Sequence, residues 1–202
     1  MKKLVTVLAV AVVVASSLGI ATSALAITTY SYTGNNFDNF FSYGGMYVAG
    51  EYTGSMRVTG WFEVANPIAA GVSDQFITPL SYSFFDGRIT YTDQNSVVWY
   101  PGSSFSVSTN ETGDISSWYI GVKDPNMAIG EVFTMKNYLS GGQFYTYDQG
   151  MVRAGNWYET GSVTNNAGEW TKTTPTPIPG ALVLFGSGLL GLVGIGRKKF
   201  RR

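Results

Sequence analysis

The sequence predicts an all-β domain, an antiparallel β-sandwich of jelly-roll-like type, with a hydrophobic helix at each end of the chain. Short apolar and aromatic runs with a period of two recur through the middle of the chain, where no stretch of about 12 residues has helical periodicity. Turn residues separate these runs at spacings of about 8–12 residues, which is typical of sandwiches and closed barrels. We favour two packed sheets over a barrel.

The strand candidates are rich in Thr, Val, Tyr, Phe and Trp. At 104–108, Phe105 and Val107 share one face and three Ser residues share the other, as in a strand with one buried and one solvated side. The candidates are residues 27–33, 55–65, 80–85, 88–92, 97–100, 104–109, 115–122, 131–135, 143–147, 152–158 and 169–173.

Three segments that contain Gly predict hairpin turns. Asp86-Gly87 lies between two strand candidates and predicts a two-residue type I′ turn, which needs a positive φ at both positions. Residues 110–113 predict a slightly longer hairpin, and Gly141-Gly142 predicts a third.

The composition narrows the function classes. All 13 acidic residues, but only six of the 13 basic ones, lie between positions 27 and 179. This acidic region lacks the clustered Lys and Arg that bind nucleic acid. The absence of Cys excludes disulfides and thiol chemistry, and the absence of His removes the commonest general base and a usual zinc ligand. We therefore expect no nucleic-acid partner and no cofactor.

The N-terminus has the three parts of an export signal. Lys2 and Lys3 precede an apolar run at 4–15, and Ala24 and Ala26 supply the small residues at a signal peptidase cleavage site. The apolar run is shorter than the roughly 20 residues of a membrane-spanning helix. We therefore expect that signal peptidase removes residues 1–26; an uncleaved anchor is the alternative.

The C-terminus predicts a linker, a membrane span and a cytoplasmic end. A Thr- and Pro-rich linker is expected at 171–179, after a β-sandwich at 27–170, because Pro interrupts helices and strands. The uncharged residues 180–196 predict a transmembrane helix of about 25 Å. The positive-inside rule keeps the basic cluster in the cytoplasm, and that cluster comprises Arg197, Lys198, Lys199, Arg201 and Arg202.

The order of these C-terminal parts resembles a PEP-CTERM sorting signal. The segment Pro177, Ile178, Pro179 corresponds to the Pro-Glu-Pro motif, with Ile in the middle position, and the resemblance covers residues 177–202. It implies cleavage near the motif by an exosortase-type enzyme and delivery to the cell envelope, the cell surface or the medium. Bacteria that encode such proteins often make extracellular polysaccharide and biofilm. An ordinary tail anchor is the alternative.

Four Trp residues are candidate glycan contacts, because sugar rings stack on exposed aromatic rings. Three are followed by Tyr, and adjacent residues of a strand lie on opposite faces, so one ring of each pair is expected to face outward. The alternative is that these rings fill the core in place of Leu. The four candidates are Trp99, Trp118, Trp157 and Trp170.

We expect a non-enzymatic structural or surface protein, with a carbohydrate-binding module as the alternative. A glycoside hydrolase with two catalytic carboxylates is the weakest alternative, and the acidic residues in or beside strand candidates are Glu63, Glu131, Glu159 and Glu169.

Oxygen-rich turns at 93–95 and 124–126 are the candidates for calcium, although Asp and Asn commonly form turns without a metal.

Overall fold

Two antiparallel sheets pack together in the computed structural model, which describes residues 27–44, 52–126 and 128–174. These described residues contain no helix and belong to one compact unit. The predicted all-β class and the sandwich of two antiparallel sheets are confirmed.

The described part of the chain contains thirteen strands. In chain order they are β1 (Thr28–Thr33), β2 (Asn39–Tyr43), β3 (Thr59–Val64), β4 (Gln75–Phe76), β5 (Ser81–Phe85), β6 (Thr90–Thr92), β7 (Val97–Val98), β8 (Phe105–Thr109), β9 (Ile115–Lys123), β10 (Gly130–Ser140), β11 (Gln143–Ala154), β12 (Trp157–Thr164) and β13 (Glu169–Thr173).

The smaller sheet has the strand order β13-β1-β3-β5-β6. The larger sheet has the order β2-β12-β11-β10-β9-β8-β4, and β7 also pairs with β9. The consecutive strands β8 to β12 form a meander, which differs from the Greek-key connections of a jelly roll. The smaller sheet joins strands from both ends of the domain, since β1 pairs with β13.

Aromatic side chains fill the space between the sheets. Phe105 of β8 is fully buried, and its ring centroid lies 5.3 Å from that of Phe62 in β3. Phe62 in turn stacks on Tyr30 of β1 at 5.1 Å. Large planar rings thus build the core in a domain that is poor in Leu, as each buries a large apolar area.

Gly141 and Gly142 form the two-residue hairpin turn between β10 and β11. Ser140 pairs with Gln143, and the φ angles of Gly141 and Gly142 are 58° and 81°, as a type I′ turn requires. The hairpin predicted at 110–113 is also confirmed, since the N–H of Asn110 donates to the carbonyl of Asp114 at 2.9 Å.

The type I′ prediction at Asp86-Gly87 is wrong. Phe85 pairs with Thr90, so the loop spans four residues, and only Gly87 of the two has a positive φ. The Asp86 carboxylate accepts the N–H groups of Arg88 and Ile89 at 2.8 and 2.6 Å. These hydrogen bonds from the backbone to the Asp86 side chain stabilise the turn, so Asp86 does not need the positive φ of a type I′ turn.

Several predicted boundaries differ from the structure. The strand expected at 152–158 is two strands, because Ala154 pairs with Trp157 around a turn at 155–156. The sandwich continues to Thr173, three residues into the predicted linker, because 171–173 pair with β1. The sequence did not predict β2 or β4, whose exposed aromatic and polar residues do not alternate.

The predicted targeting features lie outside the described residues. They are the signal peptide with its cleavage residues Ala24 and Ala26, the sorting motif Pro177, Ile178 and Pro179, the transmembrane segment 180–196, and the basic cluster of Arg197, Lys198, Lys199, Arg201 and Arg202.

Candidate functional site on the outer face of the larger sheet

The register of β9 separates an interior face from an outer face. Trp118, Ile120 and Val122 belong to the core between the sheets. Tyr119 belongs to a second, separate hydrophobic cluster, because alternate residues of a strand point to opposite faces. Every strand paired with β9 is divided in the same way.

The second cluster is an aromatic surface on the outer face of the larger sheet. Tyr119 and Phe133 lie nearly parallel at 6.2 Å, and Trp99 meets Phe133 edge-on at 5.3 Å. Met135 and Tyr147 pack beside them from β10 and β11. We call this cluster the outer aromatic surface; it comprises Trp99, Tyr119, Phe133, Met135, Tyr138 and Tyr147.

Gly121 makes room for the centre of this surface. An added Cβ at Gly121 would lie 2.6 Å from Cδ1 of Phe133 and 3.5 Å from Cβ of Trp99. Gly121 pairs directly with Phe133 across β9 and β10. The missing side chain therefore lets the Phe133 ring lie flat over β9, beside Trp99 and Tyr119.

A β-bulge brings Tyr138 to the outer face. Met135 pairs with Tyr147 and Tyr138 pairs with Tyr145, so β10 has one more residue than β11 in this interval. Asn137 has a φ of 51°, and its N–H donates to Oγ1 of Thr146 at 3.0 Å. Without the extra residue, alternation from Met135 would turn Tyr138 inward.

Two open depressions lie on this face and share Tyr138. The first has a volume of about 240 Å³ and is lined by Asp74, Phe76, Ser103, Ser106, Tyr138 and Leu139. The second has a volume of about 220 Å³ and is lined by Tyr119, Met135, Tyr138, Ser140, Tyr145 and Tyr147. We call the two depressions together the tyrosine groove.

Burial changes the protonation of several groups on this face. It raises the pKa of Tyr147 to about 12 and also raises that of Tyr119, so both hydroxyls stay protonated at neutral pH. Glu131 is only 4% exposed, and burial raises its pKa to about 7 against the opposing effect of Arg153 and Lys123. Oε2 of Glu131 has no hydrogen-bond partner among the described residues.

The structure separates the four predicted glycan contacts. Trp118 is 3% exposed, and its Nε1 donates to Oγ1 of Thr134 at 2.8 Å inside the sandwich. Trp170 packs on the same core, with Tyr32 at 5.0 Å. Both rings therefore fill the interior, as the alternative reading of the sequence expects. Trp157 is half-buried and packs against Gly44.

Trp99 is the one of the four that belongs to the outer aromatic surface. Its ring is half-buried, and Nζ of Lys123 lies 4.4 Å from the ring centroid. Sequence reasoning named Tyr119 only through the Trp118-Tyr119 pair and did not predict Tyr138, Tyr145 or Tyr147 as contacts, although the Gly141-Gly142 hairpin indicates that β10 and β11 are neighbours.

The four acidic residues considered for hydrolysis are not brought together. Glu63 lies on the smaller sheet, where Oε2 accepts from Ser81 Oγ at 2.9 Å, and Glu169 is at the end of that sheet's edge strand β13. Glu131 pairs with Met151, and Glu159 pairs with Val152, so these two point to opposite faces of the larger sheet.

The two turns considered for calcium use their oxygen atoms within the chain. Oδ2 of Asp124 accepts the N–H groups of Asn126 and Ala128 at 3.2 and 2.7 Å. Asn95 Oδ1 accepts the N–H of Thr92 at 2.7 Å. Within the described ranges, no three acidic side chains lie close enough together to hold a metal ion.

Two carboxylates are buried between the sheets with complete sets of partners. Both oxygens of Asp148 accept from the Tyr32 hydroxyl at 2.8 Å, and that hydroxyl accepts the N–H of Gly168 at 2.7 Å. Asp86 accepts from the Tyr52 hydroxyl at 2.8 Å. Burial raises the pKa of Asp148 to about 7 and also raises that of Asp86. These hydrogen bonds link segments of the sandwich that are far apart in the chain, and neither carboxylate lines the two depressions.

Comparison of the chain with protein-family models, with curated proteins and with solved structures finds no match. Among the described residues, no helix has the length and apolar character needed to cross a bilayer.

Proposed function

We propose that this chain is an exported, non-enzymatic protein of the bacterial cell envelope or surface, whose β-sandwich binds polysaccharide through the tyrosine groove. The observation that carries the binding proposal is the groove itself, in which Tyr rings and serine hydroxyls line two open depressions on one sheet face. Aromatic rings stack on the C–H faces of sugars, and hydroxyl and carboxylate groups bond the sugar hydroxyls.

Export is proposed from the two ends of the sequence. Signal peptidase removes residues 1–26, the segment 180–196 holds the chain in the inner membrane, and an exosortase-type enzyme then cleaves near the Pro177–Pro179 motif. The released sandwich, with its acidic surface, stays at the cell surface or in the medium, in contact with extracellular polysaccharide.

The non-enzymatic character is supported by the separation of the acidic residues. A glycosidase needs two carboxyl groups about 5–9.5 Å apart on either side of the scissile bond. The groove contains one carboxylate, that of Asp74, and its Oδ1 already accepts from Ser108 Oγ at 3.3 Å. Binding without turnover is the function that this lining supports.

A glycan array probed with the mature protein tests the binding proposal. We expect retention on a subset of bacterial polysaccharides and no release of reducing sugar during incubation. Binding to no glycan above background would reject the binding role and leave a purely structural one. Reducing-sugar release that Asp74→Asn or Glu131→Gln abolishes would instead favour the hydrolase alternative.

Intact-mass measurement of the protein from its native host tests the export proposal. We expect an N-terminus at Ile27 and a C-terminus near Pro177–Pro179. Retention of the basic cluster at 197–202 would favour an ordinary tail anchor.

A further inference from the structure

The class of glycan that fits the tyrosine groove follows from the charges that line it. None of the described residues lining the two depressions is Lys or Arg, and the charged residue among them is Asp74. The whole region at positions 27–179 has 13 acidic and six basic residues, which gives it a net negative charge. A polymer that carries carboxylates or sulfates would be repelled from such a surface, whereas an uncharged sugar chain would not.

The number of sugar units follows from the two volumes. Each depression, at about 240 and 220 Å³, is smaller than the roughly 300–1,000 Å³ of a pocket for a drug-sized molecule. Each therefore suits one sugar ring better than a whole oligosaccharide. Because Tyr138 lines both, a chain that fills the two depressions passes over or beside that one ring.

The bulge at Asn137 sets the position of this shared ring. It places Tyr138 opposite Tyr145 and lets its ring stack on Tyr119 at 4.3 Å with an angle of 22°. Bulges next to binding sites commonly re-aim a side chain in this way. A left-handed φ is accessible to Asn and Gly but is unfavourable for β-branched residues. The residue at position 137 therefore determines whether the bulge forms and where the Tyr138 ring lies.

We propose that the tyrosine groove selects an uncharged polysaccharide and holds it in two successive sugar subsites that share the ring of Tyr138. This inference rests on the proposed glycan-binding function and specifies its ligand. Phe76 supplies the apolar wall of the first subsite and Tyr145 that of the second, and these rings are 42% and 40% exposed. Asn137 acts as a positioning residue that does not itself contact the sugar.

The charge selection is tested with one polymer in two forms. A neutral polysaccharide that the glycan array identifies is oxidised at its primary hydroxyls to carboxylates, which keeps the backbone linkage and adds negative charge. By titration calorimetry with the mature protein, we expect at least a tenfold weaker Kd for the oxidised form at low salt, with partial recovery at high salt. Equal or tighter binding of the oxidised form would overturn the charge selection.

The shared subsite is tested with oligosaccharides of increasing length and with variants of the lining residues. Affinity should rise at least tenfold from one sugar unit to two or three, and Tyr138→Ala should remove that rise. Phe76→Ala and Tyr145→Ala should each weaken binding severalfold without unfolding, since both rings are exposed. Tyr43→Ala is the matched control, because Tyr43 is 57% exposed on β2 and lines neither depression.

The positioning role is tested by two substitutions of one residue. Asn137→Gly keeps access to the left-handed φ and should retain binding, whereas Asn137→Val disfavours it and should weaken binding as Tyr138→Ala does. Glycan binding that survives Tyr138→Ala, Phe76→Ala and Tyr145→Ala would overturn this inference and leave the proposed function standing. Failure to bind any glycan would overturn both.

Discussion

The interior of the sandwich and the tyrosine groove are built from the same residue types but use their polar groups differently. Inside, the hydroxyls of Tyr32 and Tyr52 donate to the buried carboxylates of Asp148 and Asp86. On the outer face, the Tyr145 hydroxyl contacts the exposed Gln143 at 3.2 Å, and its ring is 40% exposed. Tyrosine therefore links buried groups in one place and forms part of an exposed surface in the other.

Strand register, more than residue type, assigns the role of an aromatic side chain. Trp118 and Tyr119 are neighbours in β9, yet Trp118 belongs to the core and Tyr119 to the outer aromatic surface. Substitutions inside the sandwich should therefore lower stability, and substitutions in the groove should lower binding at nearly constant stability.

The largest expected effect is at the centre of the core. Phe105→Ala removes a fully buried ring that contacts the rings of Phe62, Tyr82 and Phe84. We expect a loss of about 3–5 kcal/mol in the free energy of unfolding, measured by urea denaturation. The matched control is Phe144→Ala, a ring that is 73% exposed, which should change stability by less than about 0.5 kcal/mol. Similar losses for both variants would contradict the assignment of the core.

The next effect is a pH dependence that comes from buried acids. The folded-state pKa values of Asp148 and Glu131 are about 7, well above the values of about 4 in an unfolded chain. Between pH 4 and 7 the folded state therefore holds more protons, and the free energy of unfolding falls as the pH rises. For each group we expect a fall on the order of 2–4 kcal/mol.

Substitution of Asp148 by Asn and of Glu131 by Gln separates the contributions of these two groups to the pH dependence of stability. Asp148→Asn and Glu131→Gln should each flatten part of the decrease between pH 4 and 7, and the double variant should flatten most of it. Urea denaturation at a series of pH values provides the measurement. A slope that both single variants leave unchanged would show that neither carboxyl group binds a proton in the folded protein at neutral pH.

A smaller effect on stability is expected when one Tyr hydroxyl is removed from the interior or from the groove. Tyr32→Phe leaves the N–H of Gly168 and the carboxyl group of Asp148 without their shared partner, and it should cost about 1–3 kcal/mol in thermal unfolding. Tyr138→Phe, in the groove, should cost less than about 0.5 kcal/mol. If Tyr138→Phe were the more destabilising change, the two regions would not differ as described.

The smallest stability effect is expected at the groove rim. Tyr145→Ala and Phe76→Ala should leave the melting temperature within about 2 °C of the parent protein, since each side chain is about 40% exposed. Differential scanning calorimetry measures this directly. Clear destabilisation by either substitution would mean that the groove is part of the core and not a contact surface.

The sequence predicted most strands because their alternation is local. The candidates at 104–109 and 115–122 match β8 and β9 to within a residue or so. The candidate at 152–158 failed because it runs through Gly155-Asn156, which is itself a two-residue turn that joins β11 to β12. β2 was missed because its exposed residues do not alternate, and its partner β12 lies more than 100 residues away in the chain.

The sequence predicted that the candidate site is an exposed aromatic face of a strand, but it did not predict most of the residues that form it. Exposed aromatics were expected on one face of a strand, and Trp99 lies on such a face. Trp118 and Trp170 face the opposite sheet instead. β9 carries aromatic residues on both faces, at Trp118 and Tyr119, so alternation alone does not show which face becomes interior. That depends on where the second sheet packs.

The all-β class, the aromatic composition of the core, the acidic character of the domain and the Gly-Gly hairpin could all be predicted from the sequence. They depend on local alternation, residue type and backbone freedom. The fold was needed to show which rings are buried, where the bulge turns Tyr138 outward, and how burial raises the pKa of Asp148 and Glu131. These properties depend on long-range strand pairing and on sheet packing, which bring together residues far apart in the chain.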